Sequence, residues 1–182
     1  MFRCMVKHKY LLLLAMLAVA VAGCKGEKKS DEPETFQFTI YPGSRYLQQV
    51  TEAFKLAKKA ANPNAEIPPI AVYDTDASVE TVADFYAKAY HYDKVAPDAT
   101  NNLSAAQPPA YYRTGDLGTD AKAAEPLFKM LNLKVDTSKA VGTYKAAEVS
   151  RKQNRPQVTI QRPYFDFTTS QVVDRTIILM AR

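Results

Sequence analysis

The sequence predicts an α+β domain in which two or three helices pack on a mainly antiparallel sheet, with a β-hairpin at the C-terminal end. Three observations predict this class. Residues 79–90 carry apolar side chains at helical spacing, residues 36–40 alternate as in a half-buried strand, and the last third of the chain is rich in β-type apolar segments. No segment repeats along the chain, so we expect a single unit of this kind.

A strand and a helix open the domain. The alternation at residues 36–40 favours a half-buried strand, which Pro42-Gly43 ends. Ser44 can cap the helix that follows. The apolar face of this helix consists of Leu47, Val50, Phe54 and Ala57.

The next strand and helix have clear patterns. Residues 70–73 form a short apolar segment after two prolines, which favours a strand. In the helix that follows, Asp76 or Ser78 can serve as the N-cap. Its buried stripe is predicted to be Val79, Val82, Ala83, Tyr86 and Tyr90.

The middle of the chain is less regular. Residues 91–108 are rich in Asp, Asn, Ala and Pro and are expected to form a long loop, after which residues 110–116 favour a strand. Pro126 fits the first turn of a short helix that carries Leu127, Met130 and Leu131.

The C-terminal third is predicted to be β. Strands are expected at residues 142–149, 157–167 and 172–181, and the last two form an antiparallel hairpin with a loop of about four residues. Residues 177–180 are apolar without alternation, which indicates a central strand covered on both faces. Pro163 cannot donate to a ladder, so its strand lies at an edge or carries a bulge.

The first 23 residues have the layout of an export signal. A basic start is followed by an apolar run over residues 11–22 and then by small residues. A membrane-spanning helix needs about 20 apolar residues, and this run is shorter before Lys25 interrupts it, which disfavours a permanent transmembrane anchor.

The segment Val21-Ala22-Gly23-Cys24 resembles the signal peptidase II lipobox of bacterial lipoproteins. The resemblance implies cleavage before Cys24, a diacylglycerol on its thiol and acylation of the freed amine. The alternative is an ordinary secretory signal in which Cys24 is incidental. The lipoprotein interpretation divides the chain into a signal peptide at 1–23, a lipidated cysteine and tether at 24–34, and one globular domain at 35–182. Residues 25–34 lack apolar side chains able to pack, so we expect a flexible tether.

The domain itself also has a resemblance. The segments "YPGSRYL", "YDTDASVETVADFYAKAY", "TIQRPYFDF" and "VVDRTIILM" are similar to a family of small uncharacterised bacterial lipoproteins. This resemblance covers most of residues 36–182. It supports the domain boundaries and implies no activity.

The charge of the chain depends on the signal. The full sequence has 24 basic and 19 acidic residues, a net charge of +5. Removing Arg3, Lys7 and Lys9 with the signal leaves 21 basic against 19 acidic residues, a net charge of +2. This small excess on an exported protein argues against nucleic acid as a partner.

The residue types also exclude several kinds of site. Cys4 lies in the predicted signal and the lipobox resemblance implies a lipid on Cys24, so we expect no thiol to remain for a disulfide, a redox pair or a zinc site. His91 is the one histidine left after processing, and it is predicted to end a helix, where the helix dipole favours an imidazolium. The chain has no GxSxG or glycine-rich nucleotide motif. We therefore expect no catalytic residue, no metal and no cofactor.

Two charged segments are candidate binding sites. Arg151, Lys152, Arg155 and Arg162 form a possible anion-binding cluster for lipid headgroups or for phosphates and carboxylates of the envelope, although a solvated loop is the simpler interpretation. Asp74-Thr75-Asp76 can be interpreted as part of a cation site or, more simply, as a helix cap.

The sequence therefore favours a lipid-anchored cell-envelope protein with a non-catalytic binding or structural role. The alternatives are a carrier that holds a small molecule or lipid in an internal pocket, and a hydrolase that acts on envelope material. The expected partners are the membrane, through the N-terminal lipid, and an unknown envelope component. Lys25 follows the cysteine where an aspartate would favour inner-membrane retention, so we expect an outer-membrane anchor and a periplasmic domain.

Overall fold

The computed structural model describes residues 38–97, 108–152 and 155–182. The predicted signal, Cys24, the tether, Phe36 and residues 98–107 of the predicted loop lie outside the described residues. Within the described residues, no helix has the length and apolar character needed to cross a membrane.

Within this described part of the chain, six strands form one sheet whose five strand pairings are all antiparallel. They are β1 (Arg45–Tyr46), β2 (Ile70–Thr75), β3 (Ala110–Asp116), β4 (Thr143–Val149), β5 (Gln157–Arg162) and β8 (Thr176–Ala181), in the order β1-β2-β8-β5-β4-β3. Strands β6 (Tyr164–Asp166) and β7 (Gln171–Val173) form a separate two-stranded ladder. The predicted α+β class is confirmed.

Helices cover both faces of the sheet. Helix α2 (Val79–Ala89) packs on one face, where it meets Ile178 and Met180. Helices α1 (Gln48–Ala61) and α3 (Leu117–Met130) pack on the other face, and a short 3-10 turn (Thr137–Lys139) follows α3. Since successive side chains of a strand point to opposite faces, β8 sends Ile178 to α2 and Leu179 to α1.

Helix α2 matches its prediction. The Ser78 side chain caps it by accepting a hydrogen bond from the Thr81 amide at 3.2 Å, and the whole predicted stripe is buried. The helix ends in a Schellman motif, in which Tyr92 N–H donates to Ala87 O and His91 N–H donates to Lys88 O. His91 has φ 56° there, so it lies just after the helix end, as predicted.

The predicted hairpin is present in two segments. Strand β5 pairs with β8 from Gln157↔Ala181 to Gln161↔Ile177, and β6 pairs with β7 further along. Pro163 lies between β5 and β6, where the ladder is interrupted. Strand β8 lies between β2 and β5 and is covered on both faces, so the prediction of a central strand is confirmed.

Two expectations near the start of the domain are wrong. Residues 38–40 are not a strand, because Phe38 packs against the α2 side of the core while Ile40 stays 49% exposed. Ser44 does not cap α1, because its hydroxyl donates to Tyr41 O at 2.6 Å and holds the turn before β1. The N-cap position belongs to Leu47.

The helix around Pro126 also differs from its prediction. It begins nine residues before the proline, at Leu117, and Pro126 lies inside it. Asp116 ends β3 and caps α3 by accepting from the Thr119 amide at 2.7 Å, so the helix starts where the strand stops. The proline costs α3 one helical hydrogen bond without ending it.

Introducing a charge into β8 should unfold the domain. Ile178 has no exposed surface, and burying such a side chain contributes about 1.5–3 kcal/mol. Ile178→Asp loses this contribution and places a carboxyl group in an apolar layer, in a domain stable by about 5–15 kcal/mol. The matched variant Val172→Asp changes a side chain in β7 that is 37% exposed and should keep a cooperative thermal transition. Circular dichroism melting distinguishes them, and a folded Ile178→Asp protein would contradict the assignment of a buried central strand.

Candidate functional site

A cavity of about 110 Å³ lies between the sheet and helices α1 and α3. Most of its wall is apolar and comes from the inner faces of the two helices and from β8. These side chains include Val50, Phe54, Ala57, Leu117, Ala121, Phe128, Ile177 and Leu179. Concave pockets that are mostly apolar and carry a few polar groups are the usual form of a small-molecule site.

The segment after β6 closes the gap between the two helices. The Phe167 ring lies 6.3 Å from the Phe54 ring of α1 and 5.7 Å from the Phe128 ring of α3, measured between centroids. Such aromatic contacts hold α1 and α3 to the same aromatic side chain. The interrupted hairpin therefore contributes a wall of the cavity.

A buried ion pair lies at the polar end of the cavity. Arg113 in β3 donates from Nε and Nη2 to Glu148 Oε1 in β4, at 3.2 and 3.1 Å. The two residues are 3% and 8% exposed. Thr159 Oγ1 donates to the other oxygen of Glu148 at 2.7 Å, and Gln157 Nε2 does so at 3.3 Å. These bonds replace the water that both charges lose on burial.

The arginine extends this network into the cavity wall. Arg113 Nη1 donates to the Tyr144 hydroxyl at 2.8 Å, and that hydroxyl donates to Asp120 Oδ2 at 2.5 Å. Asp120 comes from the first turns of α3, so the chain of bonds joins the sheet to a helix. Arg113, Tyr144 and Asp120 all line the cavity.

Burial shapes the protonation of these groups. Burial raises the pKa of Tyr144 to about 12, so its hydroxyl keeps its proton at neutral pH and donates to Asp120. Burial lowers the pKa of Arg113, but the Glu148 charge and the Tyr144 hydroxyl more than compensate, so the guanidinium stays charged. Burial raises the pKa of Asp120 despite the opposing hydrogen bond from Tyr144 and the charge of Arg113.

Gly115 makes room for the tyrosine. It lies opposite Tyr144 in the β3–β4 ladder, and a Cβ atom at position 115 would lie 2.3 Å from Tyr144 Cζ. That distance is far inside van der Waals contact, so any side chain there would displace the ring. The glycine therefore sets where the Tyr144 hydroxyl lies.

The predicted anion-binding residues lie at two ends of the sheet. Lys152 and Arg155 come together at the end of α2, where Lys152 Nζ donates to His91 O at 3.2 Å and Arg155 bonds to Ala89 O. These two cations stabilise the carbonyls at the helix C-terminus. The structure thus gives both cations backbone carbonyls as partners, one in the last turn of α2 and one just after it.

The other two members of that set lie elsewhere. Arg162 is at the far end of β5, where Nε donates to Asp174 Oδ1 at 2.8 Å and Nη1 donates to Asp76 O at 2.8 Å. Arg151 is exposed at the start of the segment after β4. The structure therefore brings Lys152 and Arg155 together but separates them from Arg162, because one strand length lies between them.

The two candidate cation ligands have arginine partners. Asp74 has no exposed surface and accepts from Arg45 Nη2 at 2.7 Å, Arg175 Nε at 3.0 Å and Tyr164 OH at 3.2 Å. Asp76 pairs with Arg175 and does not cap α2. Within the described residues, no three or more His, Cys, Asp or Glu side chains are grouped as they would be around a metal ion.

The sequence patterns did not lead us to predict the polar end of the cavity. Its signal was present, since Arg113 and Glu148 are opposite charges at inward positions of two neighbouring predicted strands. Strand β4 places Tyr144, Ala146 and Glu148 on one face, and Arg113 pairs with Ala146 between the two polar residues. Burying an unpaired charge costs free energy, so a charged residue at an inward position of a strand indicates a buried partner.

Asp120→Asn should stabilise the fold increasingly as the pH rises. Because burial raises the pKa of Asp120, the folded state favours the protonated acid, and ionisation costs stability. The cost is absent below the ordinary pKa and grows as the pH rises through the raised pKa. We expect a Tm gain near zero at about pH 3 and on the order of 2 °C at neutral pH, since solvent partly screens this half-exposed group.

Asp116→Asn is the matched control, because it removes a carboxylate one turn earlier. The hydrogen bond from the Thr119 amide lowers the pKa of Asp116, so its stabilisation is present above the ordinary pKa and is lost as the pH falls. Asparagine still caps a helix, so we expect a small loss of Tm at neutral pH that fades in acid. Thermal melts across the pH range test both variants, and the same sign for both would contradict this account.

Comparison of the chain with protein-family models, with curated proteins and with solved structures found no match.

Proposed function

We propose that this protein is a lipid-anchored cell-envelope protein that binds a small apolar ligand between its sheet and helices α1 and α3. The observation that carries the proposal is the cavity, whose apolar walls end at a buried polar network. An apolar wall binds the apolar part of a ligand, and a few fixed polar groups orient one end of that ligand.

The polar network favours binding over catalysis. The Arg113 guanidinium is held by Glu148 and Tyr144, and Glu148 is held in turn by Thr159. Tyr144, with a pKa of about 12, keeps its proton at neutral pH, so it is a poor general base. Groups committed to one another in this way give a rigid wall, which suits recognition of a ligand.

The anchor is supported by the N-terminal sequence. The lipobox-like segment before Cys24 implies a lipid on the mature N-terminus, and two or three acyl chains make membrane attachment durable. A flexible tether at residues 25–34 would span about 17 Å, so the cavity would stay near the membrane. Lys25 favours the outer membrane and a periplasmic domain, where an envelope component would supply or receive the ligand.

The mature protein should carry acyl chains on Cys24. Mass spectrometry of the N-terminal peptide from the native cell should show a chain that begins at Cys24 with the mass of the lipid added. Cys24→Ala should accumulate as an uncleaved precursor, because the thiol is the group that is modified. An unmodified cysteine, or a different first residue, would contradict the anchor.

The cavity should take up a neutral apolar probe. We would label the leucine methyl groups of the full chain, hold the protein in lipid nanodiscs and add cyclohexane. The methyl signals of Leu117 and Leu179, which line the cavity, should shift, while that of Leu56, 61% exposed, should not.

Filling the cavity gives the matched pair of variants. Ala121→Leu places a larger side chain in the cavity and should abolish the shift at a cost of about 1–3 kcal/mol in stability. Ala60→Leu, on the exposed side of α1, should leave the shift unchanged. An unresponsive Leu179 in the unmodified chain, or equal shifts in both variants, would contradict the proposed binding site.

A further inference from the structure

The charges around the cavity do not balance. Its lining includes one cation, Arg113, and two carboxylates, Asp120 and Asp166. The positive charge of Arg113 is already matched by Glu148, which accepts two of its hydrogen bonds. The cavity therefore has an excess of negative charge, and its apolar walls screen that charge less than water would.

Three of the five N–H donors of Arg113, and the hydroxyl of Tyr144, are used within the polar network. Arg113 directs Nε and Nη2 to Glu148 and Nη1 to Tyr144, and Tyr144 directs its proton to Asp120. The chain of bonds thus ends on a carboxylate at the cavity wall. An ionised carboxylate has acceptor positions for about four hydrogen bonds, and the bond from Tyr144 fills one of them.

The two carboxylates differ in the hydrogen bonds that they already accept. Asp166 Oδ1 accepts from the Thr168 amide at 2.9 Å and from the Thr168 hydroxyl at 2.7 Å, so it holds its own turn together. Asp120 lies on α3, half-buried at the end of the network, with apolar residues of the same helix beside it. Asp120 is therefore the group that a ligand would meet.

We propose that the cavity takes a ligand with a short apolar chain and a protonated amine, and that the amine pairs with the Asp120 carboxylate. The inference rests on the proposed ligand-binding function and names its ligand class. An ammonium group supplies three donors and the missing positive charge. A carboxylate ligand would add a third negative charge to a lining whose cation, Arg113, is already paired with Glu148, which costs binding energy.

The size of the cavity limits the apolar part. Apolar cavities of about 150 Å³ can hold the six carbons of a benzene molecule, so this partly open cavity of about 110 Å³ encloses about four carbons of a chain. Phe54, Leu117 and Leu179 provide apolar surface for such a chain. A longer ligand would have to leave part of its length outside.

The test compares two probes that differ in their head group. Hexylamine and hexanoate are titrated into the full chain in nanodiscs of zwitterionic lipid, with the methyl signals of Leu117 and Leu179 as readout. We expect hexylamine to bind at least about tenfold more tightly than hexanoate. Asp120→Asn should reduce that ratio by about tenfold, whereas Asp116→Asn, which removes a carboxylate outside the lining, should leave it unchanged. Both variants meet the same lipid, so partition of the probes cancels in the comparison between them.

The outcomes separate this inference from the proposed function. Equal or tighter binding of hexanoate by the unmodified chain would overturn the amine assignment and would leave the apolar site intact. An unchanged ratio in Asp120→Asn would likewise overturn it, because the amine would then pair elsewhere. If neither cyclohexane nor hexylamine shifts the lining leucines, the ligand-binding function itself fails. The comparison in the unmodified chain requires no variant, so it stands even where Asp120→Asn does not fold.

Discussion

The buried Arg113–Glu148 pair is the constraint on which the cavity face of the sheet depends. Both charges lie on inward positions of neighbouring strands, where leaving one unpaired would cost several kcal/mol. Thr159, Gln157 and Tyr144 complete their hydrogen bonds. A set of polar residues on three strands is thus required by one ion pair.

The Arg113–Glu148 pair also constrains helix α3, through Tyr144. The Tyr144 ring lies against β3 because position 115 is a glycine, and its hydroxyl bonds to Asp120 of α3. That helix starts directly from the strand that carries Arg113, since Asp116 ends β3 and caps α3. The ion pair and the glycine therefore fix the polar end of the cavity together.

The two faces of the sheet are filled differently. On the α2 side, the rings of Tyr86 and Tyr90 are fully buried, so large side chains fill the layer. On the other side, the helices turn small residues such as Ala57 and Ala121 toward the cavity, and β3, β4 and β5 offer polar groups beside the apolar side chains of β8. The difference in side-chain size leaves space on one face, and the polar network places hydrogen-bonding groups at one end of that space. This is the arrangement from which we infer a binding site close to the membrane.

The sequence by itself determined the fold class, the buried stripe of α2 and the central position of β8, because the spacing of apolar side chains reports which face of an element is buried. It misplaced the first strand and the start of α3, where the Tyr41–Ser44 turn and the Asp116 cap decide the boundaries. Only the tertiary structure decided the pairings. Arg113 pairs with Glu148, which lies 35 residues further along the chain. Arg155 and Arg162 are close in sequence, but Arg155 precedes β5 and Arg162 ends it. Periodicity shows that a side chain points inward, but its partner depends on strand register, which is a long-range property of the fold.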